Sequence, residues 1–292
     1  MNEVFNRSVK PAIVEELIDY YVFRRLAALL VPMMARRKLT PNQVSWVTLA
    51  SGLFAAWVFL HDHFFVATLL LWMTVVLDCC DGMLARFTGQ TSPIGRVVDG
   101  LFDAIWVSAI WWAIYRSGHL TPYSDSVLDV LVLGGFCTCL HCWTFDGVKN
   151  SYLEQCRPDF HENDLDFDEA LKGMKDSFHR KKIFDGIIYA LMTWHQYVFG
   201  RGKRKRIVKP QVSSQQLGLI NRWLDAPMRL WTFVGEGTHL GIMIVFGLMT
   251  PWWPDAMMTA FWIILVPINL VWIAAIIFWN MRKQKLFIPT VS

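Results

Sequence analysis

Apolar residues in this chain come in long runs rather than on single faces. Six stretches fall near Val44–Leu60, Phe64–Ala85, Ile94–Tyr115, Val127–Phe145, Met228–Thr250 and Ala256–Trp279. Each is close to the ~20 residues a helix needs to cross a bilayer. The first four follow one another through short loops, and a long polar insert separates the fourth from the fifth. Ahead of them, Pro11–Met34 has a different pattern. Val14, Leu17, Ile18, Tyr21, Val22, Leu26, Leu29 and Leu30 recur on one helical face, interrupted by Glu15, Glu16, Asp19, Arg24 and Arg25. That spacing predicts an amphipathic helix lying on the bilayer surface. The expected fold class is an all-α polytopic membrane protein: six transmembrane helices and an N-terminal cytoplasmic amphipathic surface helix. Its expected parts are the N-terminal segment (1–39), the first four spans (40–148), an insert (149–211), and the last two spans with a basic C-terminus (212–292).

Composition supports this reading. Of 292 residues 54% are apolar and only 18% charged, with a mean hydropathy of +0.33, more apolar and less charged than soluble domains. The N-terminal residues mix charges too freely for a cleaved signal peptide, so the first span is expected to act as its own insertion signal. Charge sets the orientation. Arg36–Lys38, Arg201–Arg206 and Arg282, Lys283 and Lys285 fall on one side of the six spans, and the opposite loops carry almost no Lys or Arg. By the positive-inside rule both termini and the insert are cytoplasmic. Ile183–Gly200 is apolar enough to be weighed as a seventh span. It contains Asp185 and His195 and would put the C-terminal basic cluster outside, so an interfacial helix anchored by the basic run is expected.

Several motif-like features fail on inspection. Cys137, Cys139 and Cys142 with His141 have spacings that do not bring three thiols together on a helix, and no second cluster completes a zinc site. Asp164, Asp166 and Asp168 resemble the start of a calcium loop, but Glu169 stands where Gly is required and Lys175 where Glu is. The Arg201–Arg206 run suits anionic lipid headgroups, and nothing else supports nucleic-acid binding.

The informative stretch is Asp78–Asp103, at the joint of the second and third spans. A charge at membrane depth is costly and marks function. Asp78, Asp81, Gly82 and Ala85 lie at offsets of 0, 3, 4 and 7, one helical face. Gly95, Asp99 and Asp103 share a face on the next helix. Gly89 and Pro93 break the chain between them, so antiparallel packing would bring four carboxylates together beside small residues. Such an oxygen-only set needs a countercharge and suits Mg²⁺, Mn²⁺ or Ca²⁺. With Arg86 adjacent as a phosphate partner, the residues read as a divalent-metal site for a diphosphate-bearing substrate, open to the cytoplasm.

The spacing D-x2-D-G-x2-A-R-x8-G-x3-D-x3-D, filled by Asp78, Asp81, Gly82, Ala85, Arg86, Gly95, Asp99 and Asp103, resembles that of the CDP-alcohol phosphotransferase family. The Thr40-Pro41-Asn42 run before the first span is similar too; the long insert is not part of the family plan. The resemblance implies that Asp78, Asp81 and Asp99 bind Mg²⁺ or Mn²⁺, and that Asp103 binds metal or deprotonates the acceptor hydroxyl. Gly82, Ala85 and Gly95 would make room for the cytidine nucleotide, Arg86 would steady its phosphates, and Asn42 would lie nearby, besides capping the first span. A substituted phosphate would pass from a CDP-activated alcohol to a lipid or polar acceptor alcohol, releasing CMP, in a homodimer embedded in membrane lipids.

For the acceptor, Glu236 and His239 in the fifth span and His141 in the fourth are candidates as buried ionisable groups. Arg222, Asp225 and Arg229 would either receive an acceptor phosphate or anchor the span. His141 with Trp143 and Ser92-Pro93 are similar to the choline/ethanolamine branch. A cation transporter using the four aspartates is the alternative class, but the spans show no paired helix breaks of the transporter kind.

Overall fold

A computed structural model describes residues 2–91, 93–117, 124–156 and 214–286, with a few positions between 172 and 190. Among the described residues all regular structure is helical. A short helix α1 (Asn2–Ser8) leads through turns into a π-helical turn (Asp19–Phe23) and α2 (Arg24–Arg36). Helices α3 (Pro41–Leu60), α4 (Phe64–Thr88), α5 (Pro93–Arg116) and α6 (Ser124–Cys156) carry the first four spans. The fifth is made by α7 (Ser214–Trp231) and α8 (Glu236–Met249). The sixth is α9 (Ala256–Ile263), a π-helical turn (Ile264–Ile268, containing Pro267) and α10 (Asn269–Leu286). Among the described residues six segments are long and apolar enough to cross a membrane. Apolar side chains such as Trp57, Trp112, Phe136 and Leu270 are exposed along them, as a lipid-facing surface requires.

The expected spans are recovered with shifts at their ends. The fourth helix continues past Phe145 to Cys156, through the first residues of the expected insert. The rest of that insert, including the expected interfacial helix at Ile183–Gly200 and the basic run Arg201–Arg206, lies outside the described residues apart from a few positions. The first span is capped by Thr40, not Asn42. Thr40 is extended, its hydroxyl accepts from the Gln43 amide at 3.3 Å, and Gln43 Oε1 accepts from the Thr40 amide at 2.9 Å. With Pro41 at the first helical position, this is a capping box contributing about 1 kcal/mol. Asn42 sits exposed in the first turn. At the other end of α4, Gly89 adopts φ +70°, a left-handed stop that glycine takes without a Cβ penalty.

The N-terminal segment departs from the surface-helix expectation. Tyr21, Val22 and Leu29 are exposed, whereas Phe23, Ala27, Ala28 and Val31 are buried. Glu15 and Glu16 are buried as well. The segment's apolar face, Phe23, Ala27, Ala28 and Val31, packs into the bundle core, and Glu16 bonds to the start of α8. α2 lies against α4, and Glu16 and Asp19 pack against the start of α8.

Two cores hold the helices. One runs through α2, α3, α4, α5, α8 and α9 around Phe59, Leu71, Met83 and Trp106; the other joins α6, α7 and α10 around Tyr152, Leu224 and Trp231. α3 is the pivot of the first, packing extensively on both α4 and α5, which make no comparable packing with each other. Gly52 permits this: a Cβ there would lie 2.6 Å from the Trp106 Cβ. The expected face-to-face pairing of the two aspartate-bearing helices is thus replaced by a shared backing helix, and the carboxylates meet across the space between α4 and α5.

Candidate active site

The ends of α4 and α5 bring three of the four expected aspartates together. One carboxylate oxygen from each of Asp78, Asp99 and Asp103 lies within 4.8 Å of the others. In octahedral coordination at about 2.1 Å, oxygens lie about 3.0 Å apart when adjacent and 4.2 Å when opposite, so the trio fits one hard cation with little movement. All three are half-buried, which leaves the cluster reachable from outside the core.

Asp81 is not one of that trio, but its carboxyl lies within hydrogen-bonding reach of Asp99. It is 3% exposed and accepts a 2.9 Å hydrogen bond from the Ser45 hydroxyl of α3. Ser45 Oγ also lies 3.2 Å from the Pro41 carbonyl; the shorter, charge-assisted bond to Asp81 is the stronger. Asp103 is likewise fixed from behind: the indole N–H of Trp106, one turn on and fully buried, donates to Asp103 Oδ1 at 3.0 Å. Its other oxygen is left for the cluster. Neither Ser45 nor Trp106 could be picked out from the motif, although Gly52 beneath Trp106 is the kind of residue that signals close approach.

Arg86 lies over Gly82, whose added Cβ would sit 3.6 Å from both terminal guanidinium nitrogens. Its Nε–H donates to the Ser8 carbonyl at the end of α1, a cation at a helix C-terminus. Arg86 therefore joins the N-terminal helix to the rim of the aspartate site. Ala85 and Gly95 are half-buried at the same rim, while Asn42 is exposed on α3.

The N-terminal segment adds charges that the motif did not include. Arg24 pairs with Glu15 at 2.8 Å. Burial opposes the Glu15 charge, but Arg24, then Lys10 and Arg86, outweigh it and hold that carboxyl below its ordinary range. Glu16 accepts from the amides of Gly237 (3.2 Å) and Thr238 (2.7 Å) and from the Thr238 hydroxyl (2.9 Å), capping α8 from far along the chain. Burial, and then Asp19, push Glu16 up to about 8. Burial, opposed by Arg24, leaves Asp19 at about 6.

The acceptor candidates divide. His141 and His239 are completely buried and face each other, Nδ1 to Nε2, at 3.1 Å. The His239 Nδ1–H donates to the Gly235 carbonyl at 2.6 Å, and His141 Nε2 lies 3.3 Å from Asn269 Oδ1. All four ring nitrogens are engaged, so neither ring is free to meet a ligand. Arg229 reaches the Glu15 carbonyl at 3.5 Å, Asp225 accepts from the Tyr152 hydroxyl, and Arg222 is exposed. Glu236, half-buried, has no hydrogen-bond or ion-pair partner among the described residues.

A multi-span helical protein with a hard-ligand carboxylate site between two of its spans is the class that fold and site define. The chain matches the family model for CDP-alcohol phosphatidyltransferase over residues 38–146, the segment that holds all four aspartates. Among curated proteins it is similar to phosphatidylinositol phosphate synthase of Mycobacteroides abscessus, 28% identical over 108 residues, 35% of this chain and 49% of that protein. It is also similar to archaetidylinositol phosphate synthase of Aeropyrum pernix, 32% identical over 97 residues, 32% of this chain and 48% of that one. The homologous synthase of Pyrococcus horikoshii is 31% identical over 85 residues, 29% of this chain and 45% of its own. The chain spans about half the length of the curated relatives it matches.

Proposed function

We propose that this protein transfers a substituted phosphate from a CDP-activated alcohol to the hydroxyl of an acceptor alcohol, releasing CMP, in membrane lipid synthesis. The observation that carries the reading is the trio Asp78, Asp99 and Asp103, with oxygens within 4.8 Å of one another, inside the segment that matches the family. The acceptor oxygen forms a bond to the phosphorus distal to cytidine. The phosphorus–oxygen bond to CMP breaks, CMP leaves with the bridging oxygen, and the hydroxyl proton passes to a carboxylate, for which we propose Asp103.

The trio would hold Mg²⁺ or Mn²⁺, whose chemistry when bound is to neutralise the diphosphate charge. Asp81, locked by Ser45, supports the cluster from α3's side. Arg86 steadies the phosphates, and Gly82, Ala85 and Gly95, with Asn42 further out, leave room for the nucleotide. The positive-inside pattern supports a site that opens to the cytoplasm, and a homodimer accords with the family.

CMP release from purified protein tests the reading, using CDP-diacylglycerol with water-soluble alcohols and CDP-choline with dioleoylglycerol, each with Mn²⁺ or with EDTA. Release that needs the metal and is abolished in Asp103→Asn, with CDP-alcohol binding retained, is expected. A folded, Mn²⁺-binding protein that releases no CMP from any pair overturns it and favours ion transport.

A further inference from the structure

The fifth span is not continuous. It turns at Thr232–Gly235 and restarts at Glu236, and the backbone there is pinned from two sides. On one side Glu16 receives the Gly237 and Thr238 amides. On the other, His239 donates to the Gly235 carbonyl, with His141 behind it at 3.1 Å, then Asn269, whose amide N–H donates to the Leu265 carbonyl at 2.9 Å. Glycine gives the two acids room to approach this closely. A Cβ on Gly235 would fall 2.1 Å from Glu16 Oε1, and one on Gly237 2.1 Å from Asp19 Oδ1. Three helices and the N-terminal segment thus fix the position of one residue, Glu236.

Glu236 itself is left free. Its carboxylate is half-buried, without a protein partner among the described residues, and it adds to the negative field at Asp78 and Asp103. Holding a fourth carboxylate near three others costs stability unless something bound there repays it. Two ligands fit such a group: a cation or a hydroxyl donor. Glu236 is not among the residues whose oxygens come within 4.8 Å of one another, so it stands outside the set that would grip the cation.

We infer that Glu236 receives the acceptor alcohol, taking a hydrogen bond from a neutral hydroxyl of that substrate as it approaches the aspartate trio, with Glu16 and the His141–His239–Asn269 chain as positioning residues. The inference rests on the transfer reading above. The hydroxyl belongs to a polar head group or to a lipid alcohol.

The test uses the full chain in lipid nanodiscs. CDP-diacylglycerol is offered with myo-inositol, myo-inositol 1-phosphate, glycerol 3-phosphate or serine, and CDP-choline with dioleoylglycerol, so the productive arm identifies the source of the hydroxyl. In that arm Glu236→Gln is expected to raise the acceptor KM about 10-fold or more, the scale of one charged hydrogen bond. The CDP-donor KM and the Mn²⁺ Kd should stay within twofold of wild type. Glu236→Asp, which keeps the charge but shortens the reach, should fall between the two. An unchanged acceptor KM in Glu236→Gln overturns the inference while leaving the transfer reading intact. So does a Mn²⁺ Kd that weakens in step, which would make Glu236 a metal ligand. A wild-type protein that releases no CMP in any arm sinks the transfer reading and this inference with it.

Discussion

Trp106→Phe isolates the contribution of a single N–H to the aspartate site. The indole is fully buried on α5, seated against Gly52, and its one polar atom donates to Asp103 Oδ1 at 3.0 Å. Phenylalanine keeps most of the ring and deletes the donor. A hydrogen bond to a charged group contributes about 1.5–3 kcal/mol net, which at 1.36 kcal/mol per tenfold corresponds to a factor of about 10 to 150. That range overlaps the 10- to 100-fold losses typical when a partner behind a metal ligand is removed. Mn²⁺ binding, followed by titration calorimetry, is expected to weaken by about 10- to 100-fold, and kcat for CMP release to fall with it. At saturating Mn²⁺ the KM for the CDP-alcohol should change less than threefold, because the indole N–H is engaged by Asp103. Trp112→Phe, on the same helix but 62% exposed toward lipid, serves as the control and should leave both quantities unchanged. A Trp106→Phe protein that melts earlier yet binds Mn²⁺ like wild type would refute the reasoning and reduce Trp106 to packing.

Two further predictions come from the groups that hold the site in place. Ser45→Ala leaves the buried Asp81 carboxylate without its 2.9 Å donor, which should cost about 1–3 kcal/mol of stability; an unchanged thermal midpoint would argue that Asp81 has another donor. The docking of the N-terminal segment should depend on pH. Glu16 lies near 8 in the folded chain and at 4.5 unfolded, so between those values the folded state holds a proton that the unfolded state has released. Stability from this group is therefore complete below about pH 4.5 and is lost as pH rises through 8, by at most about 1.4 kcal/mol per pH unit. Hydrogen exchange over residues 12–24 should accelerate from pH 6 to 8.5, beyond the intrinsic base-catalysed rise, in wild type but not in Glu16→Gln; equal acceleration in both would remove Glu16 as the cause. Glu16→Ala, which cannot cap α8 at all, should loosen the segment at every pH.

Much of this arrangement was legible in the sequence because it depends on length and period. Bilayer-length apolar runs located the spans, and three- and four-residue spacing put the aspartates on single helical faces. What could not be read were contacts made by unremarkable residue types across large sequence separations. Ser45 and Trp106 carry no motif, and each matters only because α3 packs behind both α4 and α5. The contacts of the N-terminal segment were hidden for a physical reason: acids on an amphipathic helix ordinarily face water, yet Glu16 has a better partner in the unsatisfied amides that begin α8. Thr40 rather than Asn42 was readable as the cap, since Gln43 stands three residues on, where a capping box requires it. The histidines were correctly singled out as costly, but composition could not show that they would saturate each other.

Polar groups from outside the matched segment reach the site as well. Residues 38–146 supply the four aspartates and, with Arg86, the features that suit a CDP-activated donor. From outside it, Arg24 of the N-terminal segment and Glu236 of α8 lie close enough to act on the Asp78 charge. A transferase must hold one substrate in common with its relatives and choose another for itself, and specificity arises from groups that leave a wrong partner unpaired. On the proposed reading the donor-side groups lie in the segment that matches the family model, and Glu236, without a hydrogen-bond or ion-pair partner among the described residues, lies outside it. The break in the fifth span, with its glycines and buried histidine pair, is therefore where acceptor choice in this protein is most economically explained: the helix is interrupted so that a single acidic side chain can be aimed at the aspartates without joining them.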